Sequence, residues 1–130
     1  MRMIFNFLAM AMVMVAVAAC GGPSGDPKED APAMIKEMSE VLVHADDVDE
    51  IAADICGIQV KYCKAYVEEE TRFREFQDEM LEHRKEVREM LLDAFDTNPK
   101  LSKQEIQEAY SRGCGDAEDI ISAMLDEAQK

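Results

Sequence analysis

The sequence predicts an all-α protein, folded as an elongated helical hairpin or a small bundle. Between residues 48 and 94, apolar side chains recur in alternating steps of four and three, which is the spacing of one face of a helix. No segment alternates apolar and polar residues as a β-strand does, and residues 33–98 contain a single glycine and no proline. These three observations favour helices throughout the folded part of the chain.

Composition and charge limit the classes of function. The chain has 130 residues, which suits one compact domain. It contains 14 Lys+Arg and 28 Asp+Glu, and residues 1–19 hold one of these bases and none of the acids. Residues 20–130 therefore carry 13 bases against 28 acids, a net charge of −15. Since proteins bind nucleic-acid phosphate through Lys and Arg, we expect no nucleic-acid partner.

Residues 1–19 have the composition of a secretory signal peptide. Arg2 supplies a positive charge at the start, and residues 3–17 are apolar apart from Asn6. The apolar stretch of about 15 residues is shorter than the roughly 20 residues of a membrane-spanning helix. We therefore predict a cleaved leader.

The tetrapeptide Val17-Ala18-Ala19-Cys20 resembles the lipobox of bacterial lipoproteins. The resemblance implies cleavage before Cys20, a diacylglycerol on its sulfur and usually an acyl chain on its amino group. Each buried CH₂ contributes about 0.8 kcal/mol, so two or three chains give a stable membrane anchor. In that family, Gly21 in place of Asp after the cysteine favours the periplasmic face of the outer membrane.

The mature chain is predicted to contain a linker and one helical domain. Residues 20–30 comprise the lipidated cysteine and a flexible linker rich in Gly, Pro and acidic residues. The helical domain then covers residues 31–130. Its first helix is expected to begin near Pro32, and Asp46 or Asp47 is expected to cap the second helix.

The longest pattern in the chain is a heptad seam. It runs through a long helix that, if continuous, measures roughly 70 Å; the alternative is a reversal near Glu69. The seam is either the internal core of the domain or a surface that binds a partner helix or a second copy of the chain. Its members are Val48, Ala52, Ile55, Gln59, Tyr62, Tyr66, Glu69, Phe73, Phe76, Met80, His83, Val87, Met90 and Ala94.

Two further helices are predicted after a turn at residues 96–100. Ser102 and Glu105 form a capping-box pattern that opens a short helix. Gly113 and Gly115 are expected to end it, and Asp116 to cap a last helix.

If Cys20 is acylated, Cys56, Cys63 and Cys114 are the disulfide candidates. Cys56 and Cys63 lie about 10.5 Å apart along a continuous helix, beyond the roughly 7 Å Cα separation that a disulfide tolerates. If the chain reverses near Glu69 and again near residues 97–100, Cys114 comes level with Cys56. We therefore favour a bridge that includes Cys114.

The cysteine spacing also resembles that of small helical lipoproteins of myxobacteria. The resemblance rests on Cys56-x6-Cys63, on Val67 and on Cys114 within Tyr-Ser-Arg-Gly-Cys, and it covers about half of the mature chain. That family often has Cys-x-Cys where this chain has Cys56-Gly57-Ile58. The resemblance implies no known activity.

Segment 91–106 resembles a calcium-binding EF-hand. Asp96, Asn98 and Glu105 match the first, third and last ligands of the loop. The loop, however, has ten residues instead of twelve and lacks both the fifth-position ligand and the sixth-position glycine, with Pro99 and Lys100 in that part of the loop. The segment is expected to bind Ca²⁺ poorly, or to be a plain turn between two helices.

His83 is the second candidate ligand for a divalent cation. Glu79 and Glu86 lie one helical turn before and after it, so one helix face presents nitrogen and oxygen donors. The alternative is a histidine within the charged surface of an exposed helix.

The chain carries no recognisable catalytic motif. Its only histidines are His44 and His83, and neither a nucleophile elbow nor a glycine-rich phosphate loop occurs. We expect a non-enzymatic protein without a cofactor, acting as a membrane-anchored interaction or scaffold module. The alternative function is binding of calcium or a transition metal.

Overall fold

The computed structural model describes residues 22–130, so the predicted leader, the lipobox and Cys20 lie outside the described part. This part forms five helices and no strand, which confirms the all-α class as a small bundle. None of the five combines the length and apolar character needed to cross a membrane. They are α1 (Pro27–His44), α2 (Val48–Lys64), α3 (Glu70–Glu82), α4 (Arg84–Thr97) and α5 (Lys103–Ala128).

The helices alternate in direction along the bundle. α2 runs antiparallel to α1, and α3 and α4, which are separated by a break at His83, return beside α1. α5 runs parallel to α2: Arg112 pairs with Asp49 at 2.6 Å near the start of α2, and the C-terminal ends of both helices also lie together. The contact between α2 and α5 is the most extensive in the molecule.

α1 begins earlier than its sequence pattern indicated. Asp26 caps it by accepting a hydrogen bond from the Lys28 backbone N–H at 3.0 Å, and Pro27 occupies the first helical position. Pro32, the expected start, lies inside the helix on its exposed side. The irregular segment before the domain therefore ends at Asp26 instead of residue 30.

The long helix predicted through the heptad seam is not continuous. The chain turns between α2 and α3, at residues 65–69, and breaks again at His83 between α3 and α4. The reversal near Glu69 is thus the alternative that the structure contains.

Most of the seam residues are buried within the chain itself. Each large side chain that is fully withdrawn from water contributes about 1.5–3 kcal/mol to folding. The seam therefore builds the core of the same molecule, and its buried positions offer no free surface to a partner. These positions are Ala52, Ile55, Tyr62, Tyr66, Phe73, Phe76, Met90 and Ala94.

The two helices predicted after the turn at residues 96–100 form a single helix, α5, in the structure. The capping box of Ser102 and Glu105 is present as expected, but α5 continues without interruption through Gly113 and Gly115 to Ala128. The expected helix end at these glycines is wrong. Among the described glycines, only Gly25 has a positive φ, so neither glycine of α5 serves as a helix terminator.

Gly113 instead permits the close approach of α5 to α2. A Cβ atom at this position would lie 2.7 Å from the Ala52 carbonyl oxygen and 2.9 Å from the Ile55 Cβ. Together with buried Ala109 and Ala117, spaced by one helical turn on either side, Gly113 forms a narrow small-residue face. Gly115 has open space at the same position.

The two glycines of α5 provide a matched pair of substitutions. Gly113→Ala places a methyl group against the backbone and Cβ of α2, where neither can yield, so we expect a loss of about 1–3 kcal/mol relative to Gly115→Ala. Gly115→Ala should raise the free energy of unfolding by about 0.5–1 kcal/mol, because alanine is the better helix former. Urea unfolding of both variants measures the difference. Equal stabilisation by both substitutions would contradict the close crossing.

Candidate functional site

A groove of about 460 Å³ lies between α3 and α5. Its floor is formed by Met34 and Met38 of α1 and by Gln59 and Cys63 of α2. The walls come from the two helices that flank it. They include Phe73, Phe76, Gln77 and Met80 on α3, and Tyr110, Cys114, Gly115, Glu118, Ile121, Ser122 and Leu125 on α5.

The groove exists because its two walls pack against different helices. α5 is drawn onto α2 through the small-residue face at Gly113, whereas α3 and α4 pack on α1. α3 and α5 hardly touch each other, so the space between them stays open. The bundle therefore leaves an apolar cleft along one side.

Three interactions hold α3 against the start of α1 and the end of α2. Arg72 of α3 donates a hydrogen bond to the Gly25 carbonyl oxygen, and its guanidinium lies over the Tyr66 ring at 5.4 Å. The rings of Tyr66 and Phe76 stack with centroids 4.9 Å apart. This wall of the groove is therefore fixed in place.

The floor of the groove is neutral, and its polar atoms are paired with one another. The Gln59 side-chain amide donates to Cys114 Sγ at 3.0 Å and lies 3.5 Å from Met38 Sδ. Burial raises the pKa of the Cys63 thiol to about 11, so this sulfur stays protonated near neutral pH and is a poor nucleophile. The floor is therefore apolar and polarisable, although its side chains Met34, Met38 and Cys63 are themselves buried.

A second polar cluster joins α1 to α2 and organises the N-terminal end. Asp30 is 2% exposed and accepts hydrogen bonds from the Ser24 backbone N–H (2.7 Å), the Ser24 hydroxyl (3.0 Å), the Gly25 backbone N–H (3.1 Å) and the Tyr66 hydroxyl. Two helical turns further along α1, Glu37 accepts hydrogen bonds from the Tyr62 hydroxyl and from the Lys61 ammonium, the latter at 2.7 Å. A buried carboxylate with four donors is stable, and Ser24 and Gly25 are thereby tied to the bundle.

These bonds also perturb the two tyrosines. Burial, followed by the hydrogen bond to Asp30, raises the pKa of Tyr66 well above its ordinary value. Burial and the bond to Glu37 raise the pKa of Tyr62 in the same way. Both hydroxyls are donors to carboxylates, so ionising either one would place two negative charges in contact.

Two of the three ligand candidates in the EF-hand-like segment, Asn98 and Glu105, form hydrogen bonds within the protein. Asn98 is buried: its side-chain N–H groups donate to the Leu42 and Ala45 carbonyl oxygens at 2.8 and 2.9 Å, and its Oδ1 accepts from the backbone N–H of Lys100 and Leu101, both at 2.9 Å. Glu105 serves the capping box, and Asp96 is exposed on α4. Asn98 thus clamps the turn after α4 onto the end of α1.

The residues around His83 are not assembled as ligands either. His83 lies at the break between α3 and α4, where its Nδ1 donates to the Glu79 carbonyl oxygen at 2.8 Å. Glu86 belongs to the next helix, on the other side of that break. Across residues 22–130, no group of three or more His, Cys, Asp or Glu side chains is placed to hold a metal ion.

The three candidate cysteines are free thiols on facing helices. Cys56 and Cys63 lie on α2, and Cys114 of α5 contacts Gln59, which lies between them. Burial raises the pKa of the Cys56 thiol, and the charges of Asp116 and Cys114 add to the effect, which places Cys114 in its vicinity. The two chain reversals that this arrangement requires are present, and a bridge that includes Cys114 stays a prediction.

The groove itself was not predicted from the sequence. The sequence pattern assigns Gly115 to a helix end and Glu118 and Ser122 to a separate last helix, so it misses their common face. The available signal was the spacing of Ile106, Tyr110, Gly113, Ala117 and Ile121, which continues one helical face through the two glycines.

Comparison with known proteins does not assign the groove. The chain matches no protein-family model, and neither curated proteins nor solved structures give a significant match. Its function must therefore be argued from the geometry of the site.

The clamp formed by Asn98 leads to a stability prediction. Asn98→Ala removes four hydrogen bonds and leaves buried carbonyl groups unpaired, so we expect the free energy of unfolding to fall by about 2–4 kcal/mol. Asp96→Asn is the matched control at an exposed position and should change it by less than about 0.5 kcal/mol. Both are measured by urea unfolding, with excess Ca²⁺ and with a chelator. If Ca²⁺ stabilised the protein and both substitutions removed that effect, the segment would be a calcium site.

The tyrosine–carboxylate pairs predict a loss of stability at alkaline pH. Folding raises the pKa of Tyr62 and Tyr66. Their contribution to the free energy of unfolding is therefore fully present below about pH 10, the ordinary pKa of tyrosine. Above it the unfolded chain releases protons that the folded chain retains, and each tyrosine lowers stability by up to about 1.4 kcal/mol per pH unit. Urea unfolding over this range should show a shallower decline for the Tyr62→Phe/Tyr66→Phe double variant. Identical slopes would mean that the two hydroxyls titrate normally.

Proposed function

We propose that this chain is a lipid-anchored, non-enzymatic interaction module at the periplasmic face of the outer membrane, and that the groove between α3 and α5 receives a protein partner. The observation that carries the proposal is the open cleft between α3 and α5, whose lining is mainly apolar and includes the partly exposed Met80. Exposed concave apolar surfaces in small proteins are characteristic of binding sites. Methionine suits such a role, because its flexible thioether adapts to different side chains.

The proposal of a non-enzymatic role rests on the chemistry of the groove. Its one charged lining residue is Glu118, and the polar side chains of Gln59 and Cys114 are hydrogen-bonded to each other. A general acid or base requires a titratable group beside the reacting atom, and a nucleophile requires a neighbouring base. In the groove, burial holds the Cys63 thiol protonated, and Cys114 is hydrogen-bonded to Gln59, so the proposal gives neither thiol a catalytic role.

The proposed anchor defines how the domain would face the membrane. If Cys20 carries the lipid, four residue steps separate it from Ser24, which is hydrogen-bonded to Asp30. Four extended residues span at most roughly 14 Å. The end of the bundle that holds the α2–α3 turn and the C-terminus of α5 would then lie nearest the lipid, with the groove opening beside it.

Site-specific photocrosslinking in cells of the source organism tests this function. A benzophenone amino acid replaces Gln77 in the groove wall, or Gln104 on α5 outside the groove, in the full chain. We expect a discrete adduct from position 77 and none from position 104, because only the first lies where the partner binds. Adding Gly115→Trp should remove the adduct by filling the groove, since the position has open space around it.

The proposed lipid anchor at Cys20 is tested on the purified full chain. Mass spectrometry of its N-terminal peptide should give a diacylglyceryl-modified Cys20, and Cys20→Ser should release the protein from the outer-membrane fraction while Cys56→Ser does not. An unmodified sulfur at position 20, or a leader still attached, rules out the anchor. Equal adducts from positions 77 and 104 rule out the groove as the binding site.

A further inference from the structure

We infer that the floor of the groove is a binding site for a soft monovalent metal ion, Cu(I), held by the thiolate of Cys114 and the thioethers of Met34 and Met38. This inference is independent of the proposed function, since the ion would bind on the floor and a protein partner at the opening. It is carried by sulfur-containing side chains that α1, α2 and α5 bring to one groove.

Two sulfur atoms from different helices approach the same point in the groove. The side-chain nitrogen of Gln59 lies 3.0 Å from the Cys114 Sγ of α5 and 3.5 Å from the Met38 Sδ of α1. Met38 is buried, whereas Cys114 is only half-buried and lines the groove. An ion can therefore reach this point from the groove, beside a sulfur atom that is accessible to water.

The packing of α1 on α2 adds two further sulfur-containing side chains to the floor. The two helices are antiparallel, and Met38 of α1 contacts Gln59 of α2. One turn back along α1 is Met34, and one turn forward along α2 is Cys63, so these two side chains stand at the same level. Both line the groove with Met38 and Cys114. The floor therefore carries two thioethers and two thiols within about one helical turn.

The donor atoms decide which metal ion suits this floor. Thiolates and thioethers are soft ligands that favour Cu(I), whereas Ca²⁺ and Mg²⁺ require oxygen ligands. Burial raises the pKa of Cys63 to about 11, so this thiol keeps its proton and Cys114 is the one thiolate. One thiolate neutralises one monovalent ion. A divalent ion on the same three sulfur atoms would leave a positive charge on an apolar floor, which is costly.

Binding exchanges a proton for the metal ion and transfers no electron. The S–H bond of Cys114 breaks, its proton leaves to water, and lone pairs on Cys114, Met38 and Met34 form bonds to Cu(I). Gln59 must turn away, because its amide lies between the first two sulfur atoms. Since metal–sulfur bonds are about 2.3 Å long in zinc sites, these sulfur atoms must move inward by about 1 Å, which a flexible methionine allows.

The test uses the full chain in phosphatidylcholine nanodiscs, fully reduced and kept free of oxygen. Cu(I) is titrated against the chromogenic chelator bicinchoninate, and Zn²⁺ and Ca²⁺ are titrated separately. Proton release is measured near pH 6, where thiols are ordinarily protonated. We expect one Cu(I) per chain, about one proton released per ion, and an affinity at least about a hundredfold higher for Cu(I) than for Zn²⁺, because the ligands are soft.

Two matched pairs of variants locate the ion. Cys114→Ser should lower the affinity for Cu(I) at least about tenfold, whereas Cys56→Ser, at a thiol outside the groove, should leave it unchanged. Met38→Leu should also lower it about tenfold, whereas Met90→Leu, at a buried methionine of α4 outside the groove, should not. Leucine has nearly the volume of methionine, so both variants should fold, which circular dichroism checks.

Each other outcome overturns the inference. The site is refuted if the full chain binds no Cu(I), and it lies elsewhere if Cys114→Ser and Cys56→Ser lower the affinity equally. Equal or tighter binding of Zn²⁺ refutes the soft ion, and its loss in Glu118→Gln would place a divalent site on α5 instead. Photocrosslinking from position 77 reports the protein partner separately, so failure of the metal site leaves the proposed function standing.

Discussion

The close crossing of α5 over α2 determines the rest of the arrangement. Gly113 leaves no room for a Cβ between itself and the Ala52 carbonyl and Ile55 Cβ of α2, so the two parallel helices meet backbone to backbone. Close packing of this kind commits α5 to α2 along a small-residue face. α3 instead packs against α1, and its Phe76 ring stacks on Tyr66. Because α3 packs on α1 and α5 packs on α2, the groove remains open between α3 and α5.

The elements of the fold could largely be predicted from local patterns. Asp47 caps α2 and Ser102 caps α5 as expected, because capping depends on one side chain and the nearby backbone N–H groups. The heptad spacing selects fourteen residues, of which eight are buried, on α2, α3, α4 and the turn after α2. It did not decide between one long helix and a reversal near Glu69, because the periodicity of a buried face is the same in both cases.

Tertiary contacts explain what the sequence left open. Gly113 was interpreted as a helix end because glycine often ends helices, yet its role here is set by a helix distant in sequence. Asn98 has the residue type of a calcium ligand, but its four hydrogen bonds reach α1 and the following turn. The groove could not be predicted either, because an apolar helix face has the same sequence pattern whether or not a neighbouring helix covers it.

A tryptophan placed in the groove tests the central claim most directly, because the chain contains no tryptophan of its own. Gly115→Trp and Gly57→Trp each introduce one indole at a helix position with open space, the first in the groove and the second outside it. The account predicts blue-shifted fluorescence emission and weak iodide quenching for position 115, with water-like emission and strong quenching for position 57. Water-like emission from both positions would contradict an uncovered apolar groove between α3 and α5.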